Sequence, residues 1–203
     1  MTKHGILRSG GPGRILAALV VALLAFVATP GSAGAADGAR AAGPRAEFAA
    51  QAAGAGLDAA QARALQKRVD GYLARSGGTQ TGANTIALPG GELVLALPGE
   101  RTARDLDATA VPDGPEDPIA GCRYSYVCAY MYENFTGDRF DMFTCNNLFR
   151  ITWNTTGSWI NHQRSTLYAR FYDRDKIVRW TSDGGLDYDA SADWRWVWYV
   201  SPC

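Results

Sequence analysis

Histidine is nearly missing from this chain, with only His4 and His162 among 203 residues, and so is any surplus of charge, since 20 Lys and Arg balance 20 Asp and Glu. Without clustered Lys and Arg, nothing attracts a nucleic-acid backbone or an anionic membrane by charge. With so little imidazole, a nucleophile held beside a histidine base has one candidate base, His162, and no cue links it to Ser158, Ser165 or an Asp. Long apolar runs are scarce too: only Ile15 to Val27 qualifies, and it is too short to span a bilayer comfortably. Finally, the first 121 residues are poor in rings. Of 22 aromatic residues only Phe26, Phe48 and Tyr72 lie there, whereas all six Trp and all four Cys follow.

What is present at the start reads as an export signal. Lys3, Arg8 and Arg14 precede the apolar run, and Pro30 and the small residues Gly31 to Ala36 follow it. This pattern predicts a secretory signal peptide over 1–36, cut near Ala35 or Ala36, with an uncut N-terminal anchor as the competing reading. Cleavage leaves the chain about three charges negative. The expected location is extracellular, with no membrane association after cleavage.

Residues 37–57 are an Ala- and Gly-rich lead-in with a short helix expected around Ala46 to Ala53. From Asp58 the spacing of Ala64, Leu65, Arg68, Val69, Tyr72 and Leu73 predicts an amphipathic helix of about eighteen residues, capped by Asp58 and ended by Gly77 and Gly78. Thr85 to Leu88 and Glu92 to Leu97 read as a hairpin turning through Pro89, Gly90 and Gly91. One helix and one hairpin are marginal alone, so 58–97 is expected to be a propeptide-like element or a cap on the main domain, with a disordered spacer as the competing reading. Residues 98–121, with Pro98, Pro112, Pro115 and Pro118, read as a linker, which places the start of the folded domain near Cys122.

Over 122–203, short aromatic runs alternate with turn residues, the pattern of an all-β unit. Strands are expected near Tyr124 to Tyr132, Arg139 to Phe143, Ser165 to Phe171, Lys176 to Trp180 and Trp194 to Val200, with turns at Asn134 to Asp138, Asn154 to Gly157, Asp173 to Asp175 and Asp183 to Gly185. Cys122, Cys128, Cys145 and Cys203 are expected to form two disulfides, in one of three pairings. Their spacing and the lone His162 fit no zinc site. In a strand, Trp194, Trp196 and Trp198 point to one face, giving either a candidate binding face for a sugar ring or a core strand of bulky fillers. Asp183, Asp187 and Asp189 match no calcium loop and read, with Asp138, Asp141, Asp173, Asp175 and Asp193, as turn chemistry. No nucleophile–base pair assembles, so no enzymatic activity, cofactor or metal is expected.

The stretch from Cys122 to Gly137, with Cys128, Tyr130 and Phe135 inside it, resembles the opening of the secreted bacterial metalloproteinase inhibitors, a peptidase-inhibitor family with a βγ-crystallin-like fold. Tyr130, six residues, then Gly137 also fits the aromatic-to-glycine signature of a crystallin Greek key, and Trp153 to Trp159 looks like the later turn that supplies the hairpin serine, Ser158. The likeness covers about 122–203. It implies a disulfide between Cys122 and Cys128, leaving Cys145 for Cys203. It carries no calcium, because Asn154 to Trp159 lacks a ligand of the calcium-binding pattern, and it identifies no inhibitory loop. The second half holds no clean copy of the aromatic, six residues, glycine pattern, which argues against a duplicated pair. The fold expected is therefore mainly β, a small Greek-key domain preceded by a helix and hairpin. Its expected role is to bind an extracellular peptidase and occlude its cleft; the alternative is a module that binds a cell-surface glycan through its aromatic face.

Overall fold

In a computed structural model of the chain, residues 45–106 and 119–203 are described. The expected signal peptide, the start of the lead-in and the centre of the proline-rich segment lie outside them. The helix α1 (Ala46–Gly54) falls where the alanine-rich lead-in predicted it. The longer helix α2 (Ala59–Ser76) is built as its ends foretell: Asp58 Oδ1 accepts from the N–H groups of Ala60 (2.7 Å) and Gln61 (2.8 Å), and the Gln61 side chain accepts from the Asp58 N–H (2.9 Å). Such a reciprocal cap contributes about 0.5–2 kcal/mol. Gly77, at φ 70°, ends the helix while its N–H bonds Leu73.

Three strands follow, β1 (Thr79–Gln80), β2 (Thr85–Leu88) and β3 (Gly91–Val94), the last two joined by the expected turn with Gly90 at φ 76°. Eight more complete two antiparallel sheets: β4 (Tyr126–Tyr132), β5 (Thr136–Met142), β6 (Phe149–Arg150), β7 (Thr156–His162), β8 (Arg170–Tyr172), β9 (Val178–Thr181), β10 (Leu186–Asp193) and β11 (Tyr199–Ser201). The larger sheet runs β1-β2-β3-β5-β4-β7-β10 and the smaller β6-β11-β8-β9. The protein is mainly β, with its helices ahead of the main strands.

The order of strands contains a repeat that the residues do not announce. In β4 to β7 the fourth strand lies beside the first and the third, β6, crosses to the other sheet; β8 to β11 do the same, sending β10 to the larger sheet. The expectation of an unduplicated arrangement is thereby overturned at the level of connectivity. The reason lies in the second hairpin, where Asp173 does the organising: its Oδ1 accepts from the N–H groups of Asp175 (2.9 Å) and Ile177 (3.0 Å) and its Oδ2 from Arg179 (2.6 Å). These bonds to the ionised form hold the Asp173 carboxyl below its ordinary range. Lys176, at φ 60°, lies in the turn itself, its N–H bonding Asp173 O (3.1 Å).

Four strands, β1, β6, β7 and β10, were not foreseen, and one expected strand is cut short. Trp194 to Val200 is not continuous: β10 stops at Asp193, Val197 N–H bonds back to Trp194 O (3.2 Å), and β11 begins only at Tyr199. The expected strand from Ser165 shrinks to Arg170–Tyr172.

The expected boundary at Cys122 also gives way. Strand β3 pairs with β5, Leu93 opposite Phe140, and one hydrophobic core contains Leu65, Val69 and Tyr72 from α2, Ile86 and Leu93 from the hairpin, and Phe140, Trp153, Trp159, Phe171 and Trp194 from the aromatic region. Part of the proline-rich segment is built in as well, since Thr102 bridges Gly137 and Gly137 N–H bonds Arg101 O (2.7 Å). Residues 58–97 are therefore packed on the aromatic region and are no disordered spacer. At the seam, Asp138 accepts from Arg68, from Tyr72 Oη (2.8 Å) and from Ala96 N–H (3.0 Å), while Trp153 Nε1 donates to Tyr72 Oη (2.8 Å). Burial, then the Asp138 charge, push the Tyr72 phenol up. A Leu65→Ala variant is expected to lose about 2–5 kcal/mol of stability. Urea unfolding followed by tryptophan fluorescence checks this, because Leu65 lies in α2 yet shares its core with the indoles; an unchanged midpoint would show α2 to be detachable.

Candidate binding surfaces

The hairpin between β4 and β5 shows how the predicted motif residues are brought together. Tyr130 is buried with its ring edge-on to Phe135 (5.5 Å), and its hydroxyl donates to Ala120 O (3.1 Å). Asn134 and Phe135 take left-handed conformations (φ 55° and 59°), and Gly137 follows at φ 82°, where a Cβ would lie 2.7 Å from the Tyr132 ring. From β7, Ser158 Oγ accepts from Phe135 N–H (2.8 Å) and donates to Tyr132 O (2.7 Å). Tyr130, Gly137 and Ser158 thus form one device that folds the hairpin back on the sheet.

Disulfides join Cys122 to Cys128 and Cys145 to Cys203, the pairing that the resemblance implied. The second ties the segment after β5 to the end of β11. In that segment, Phe143 and Thr144 donate their N–H groups to Gly90 O (3.1 and 3.0 Å), Asn146 N–H bonds Cys203 O (3.1 Å), and the Asn147 side chain bonds Pro89 O. Phe143 to Asn146 are exposed all the same. Phe143 is 44% accessible, with one side of its ring against Tyr126 at 5.0 Å. The result is a short exposed loop whose backbone is held at several points and from which the Phe143 ring stands partly in solvent.

The three tryptophans proposed as one face are separated. Trp194 is buried, its Nε1 donating to Tyr130 O (2.8 Å), while Trp196 and Trp198 are each 38% exposed. Trp198 lies beneath the Arg150 guanidinium, 4.0 Å from its ring centre. Trp196 instead lines a cleft with Trp180, Asp189 and Asp193, above a floor of Trp159, Phe171, Trp194 and Val197. Nothing in the linear spacing pointed to Trp180 or to these two aspartates, because β9 and β10 meet only through the exchange of strands. His162 is buried against Cys122 O (Nδ1 at 3.0 Å) and edge-on to Tyr124, in the interior beside the first disulfide.

A charged cluster lies at the seam with the N-terminal hairpin. Arg139 grips the wholly buried Asp141 with two bonds (2.6 and 2.8 Å), and Glu92 stands directly opposite Asp141 in the β3–β5 register. Arg123 reaches Asp105 at 3.1 Å and Glu92 only at 3.8 Å. Burial first, then the Asp141 charge, raise the Glu92 carboxyl above its ordinary value; the distant Arg123 offsets part of this.

No family model, no curated protein and no solved structure matches the chain. Among the described residues no helix is long and apolar enough to cross a membrane.

Two measurements check this geometry. Ser158→Ala leaves the Phe135 N–H without its acceptor, with an expected loss of about 1–3 kcal/mol and faster hydrogen exchange at that amide. Glu92, with a folded pKa above its unfolded one, contributes stability below the ordinary carboxylate value that is lost as pH rises through the raised value. Glu92→Gln is therefore expected to raise the melting temperature at pH 7 and to flatten its decline above pH 4 to 5, roughly the ordinary carboxylate range. A lower melting temperature at pH 7 would show that the ion pair with Arg123 dominates.

Proposed function

We propose that this is a secreted, disulfide-stapled binding protein with a Greek-key, crystallin-like build, akin to the bacterial peptidase inhibitors it resembles, and that it inhibits an extracellular peptidase by occluding the cleft. The observation that carries this reading is the loop Phe143 to Asn147. Phe143 to Asn146 are exposed, and the chain is held by the Cys145–Cys203 disulfide and by bonds to Pro89, Gly90 and Cys203. A loop already in one conformation loses little ordering entropy on entering a protease cleft, which is how small rigid inhibitors bind tightly through modest areas. Phe143 supplies the aromatic anchor that such interfaces concentrate their energy on. The apolar leader and the paired cysteines support export to an oxidising compartment.

The oxidised full chain is expected to titrate at least one secreted metallo- or serine protease stoichiometrically. Phe143→Ala is expected to weaken that inhibition at least about tenfold, close to 1.4 kcal/mol, with the melting temperature little changed. A protease panel untouched at micromolar protein, or a Phe143→Ala variant as potent as the parent, would overturn the proposal.

A further inference from the structure

The cleft between β9 and β10 has no part in the loop just described, and its construction is specific. Strand β9 is one edge of the smaller sheet and β10 one edge of the larger, so the cleft is an open mouth between the two sheets. At that mouth the core reaches solvent. Trp180 is 42% exposed, yet its indole is fixed by ring contacts with Trp159 (5.0 Å) and Phe171 (5.1 Å). Trp196 faces the same space from the turn after β10. Leaving two indoles in water forgoes apolar burial that a closed mouth would have gained.

The polar groups at this mouth are held as firmly as the rings. A register shift between Asp189 and Ala192 bends β10 there. Asp189 Oδ1 accepts from Ser191 N–H (2.8 Å) and Asp193 Oδ1 from Arg195 N–H (3.0 Å), which fixes each carboxylate while its second oxygen has no hydrogen-bond partner among the described residues. Arg195 lies 3.6 Å from Asp193 and offsets part of the negative charge. The space is about 190 Å³, too small for the drug-sized ligands that occupy pockets of roughly 300–1,000 Å³.

We propose that this cleft binds one pyranose residue of a neutral glycan, the sugar's C–H face stacking on Trp180 and Trp196 and its hydroxyls donating to the free oxygens of Asp189 and Asp193. A flat, amphipathic ring with several O–H donors matches fixed indoles flanked by fixed acceptors. The partial neutralisation by Arg195 favours such an uncharged donor over a cation, and among the described residues no three metal-ligating side chains gather.

The test uses the oxidised full chain, titrated with β-1,4-linked glucose and N-acetylglucosamine oligomers and, separately, with tetramethylammonium chloride, while the indole N–H resonances are followed by NMR. A sugar is expected to shift the Trp180 and Trp196 signals saturably. Trp196→Ala and Asp189→Asn, which spare the ring contacts of Trp180, are each expected to weaken binding by about tenfold or more, whereas Trp198→Ala, equally exposed but outside the cleft, leaves it unchanged. Absence of saturable shifts with either sugar series, equal loss in Trp198→Ala, or tighter binding of tetramethylammonium than of any sugar would overturn the assignment. Protease inhibition is untouched by these readouts, so the two proposals stand or fall separately.

Discussion

A single buried carboxylate, that of Asp138, is where the separate parts of this chain are joined. Arg68 and Tyr72 reach it from α2, Ala96 donates its N–H from the segment after β3, and Asp138 itself belongs to β5. Through Tyr72 the network extends to Trp153, just ahead of β7. A carboxylate in such a place is tolerable only because both oxygens have partners, and removing the Tyr72 hydroxyl leaves Oδ2 and the Trp153 N–H unmet. The helix is thereby fixed in register on the sheet as well as held by its apolar stripe.

From that junction the positions of the outer surfaces follow. The hairpin β2–β3 extends the larger sheet at β5, and its turn presents Pro89 O and Gly90 O to the loop that begins at Phe143. The Cys145–Cys203 bond then fixes that loop to the end of β11. The N-terminal region is thus part of the scaffold for the loop. On another side, the exchange of β10 into the larger sheet leaves its edge near that of β9, and this alone creates the cleft with Trp180 and Trp196.

Much of this was legible in the residues, for reasons that are local. Asp58 and Gly77 mark α2 because capping chemistry acts over three or four residues. Tyr130, Gly137 and the aromatic alternation mark β4 and its hairpin in the same way. Strand β7 was hidden because its buried side chains include Ser158, Asn161 and His162, whose hydrogen-bond partners lie far along the chain where no window reveals them. Strand β10 was hidden because an edge strand carries a half-buried Asp187 and an exposed Asp189, which read as turn residues. The Trp194 to Trp198 alternation misled for a definable reason: Asp193 accepts from Arg195 N–H and starts a turn, so spacing of two no longer means one face. The loop's cysteines were visible in sequence; the cleft was not, being assembled from two strands that meet only in the fold.

Native-state hydrogen exchange on the oxidised full chain tests most directly whether the N-terminal helix and hairpin belong to the scaffold. The account predicts that amides of Leu65 to Tyr72, of β3 and of β4 and β5 open together, with one common free energy and one common denaturant dependence. Opening of α2 and β3 at a much lower free energy, with β4 and β5 still protected, would contradict it.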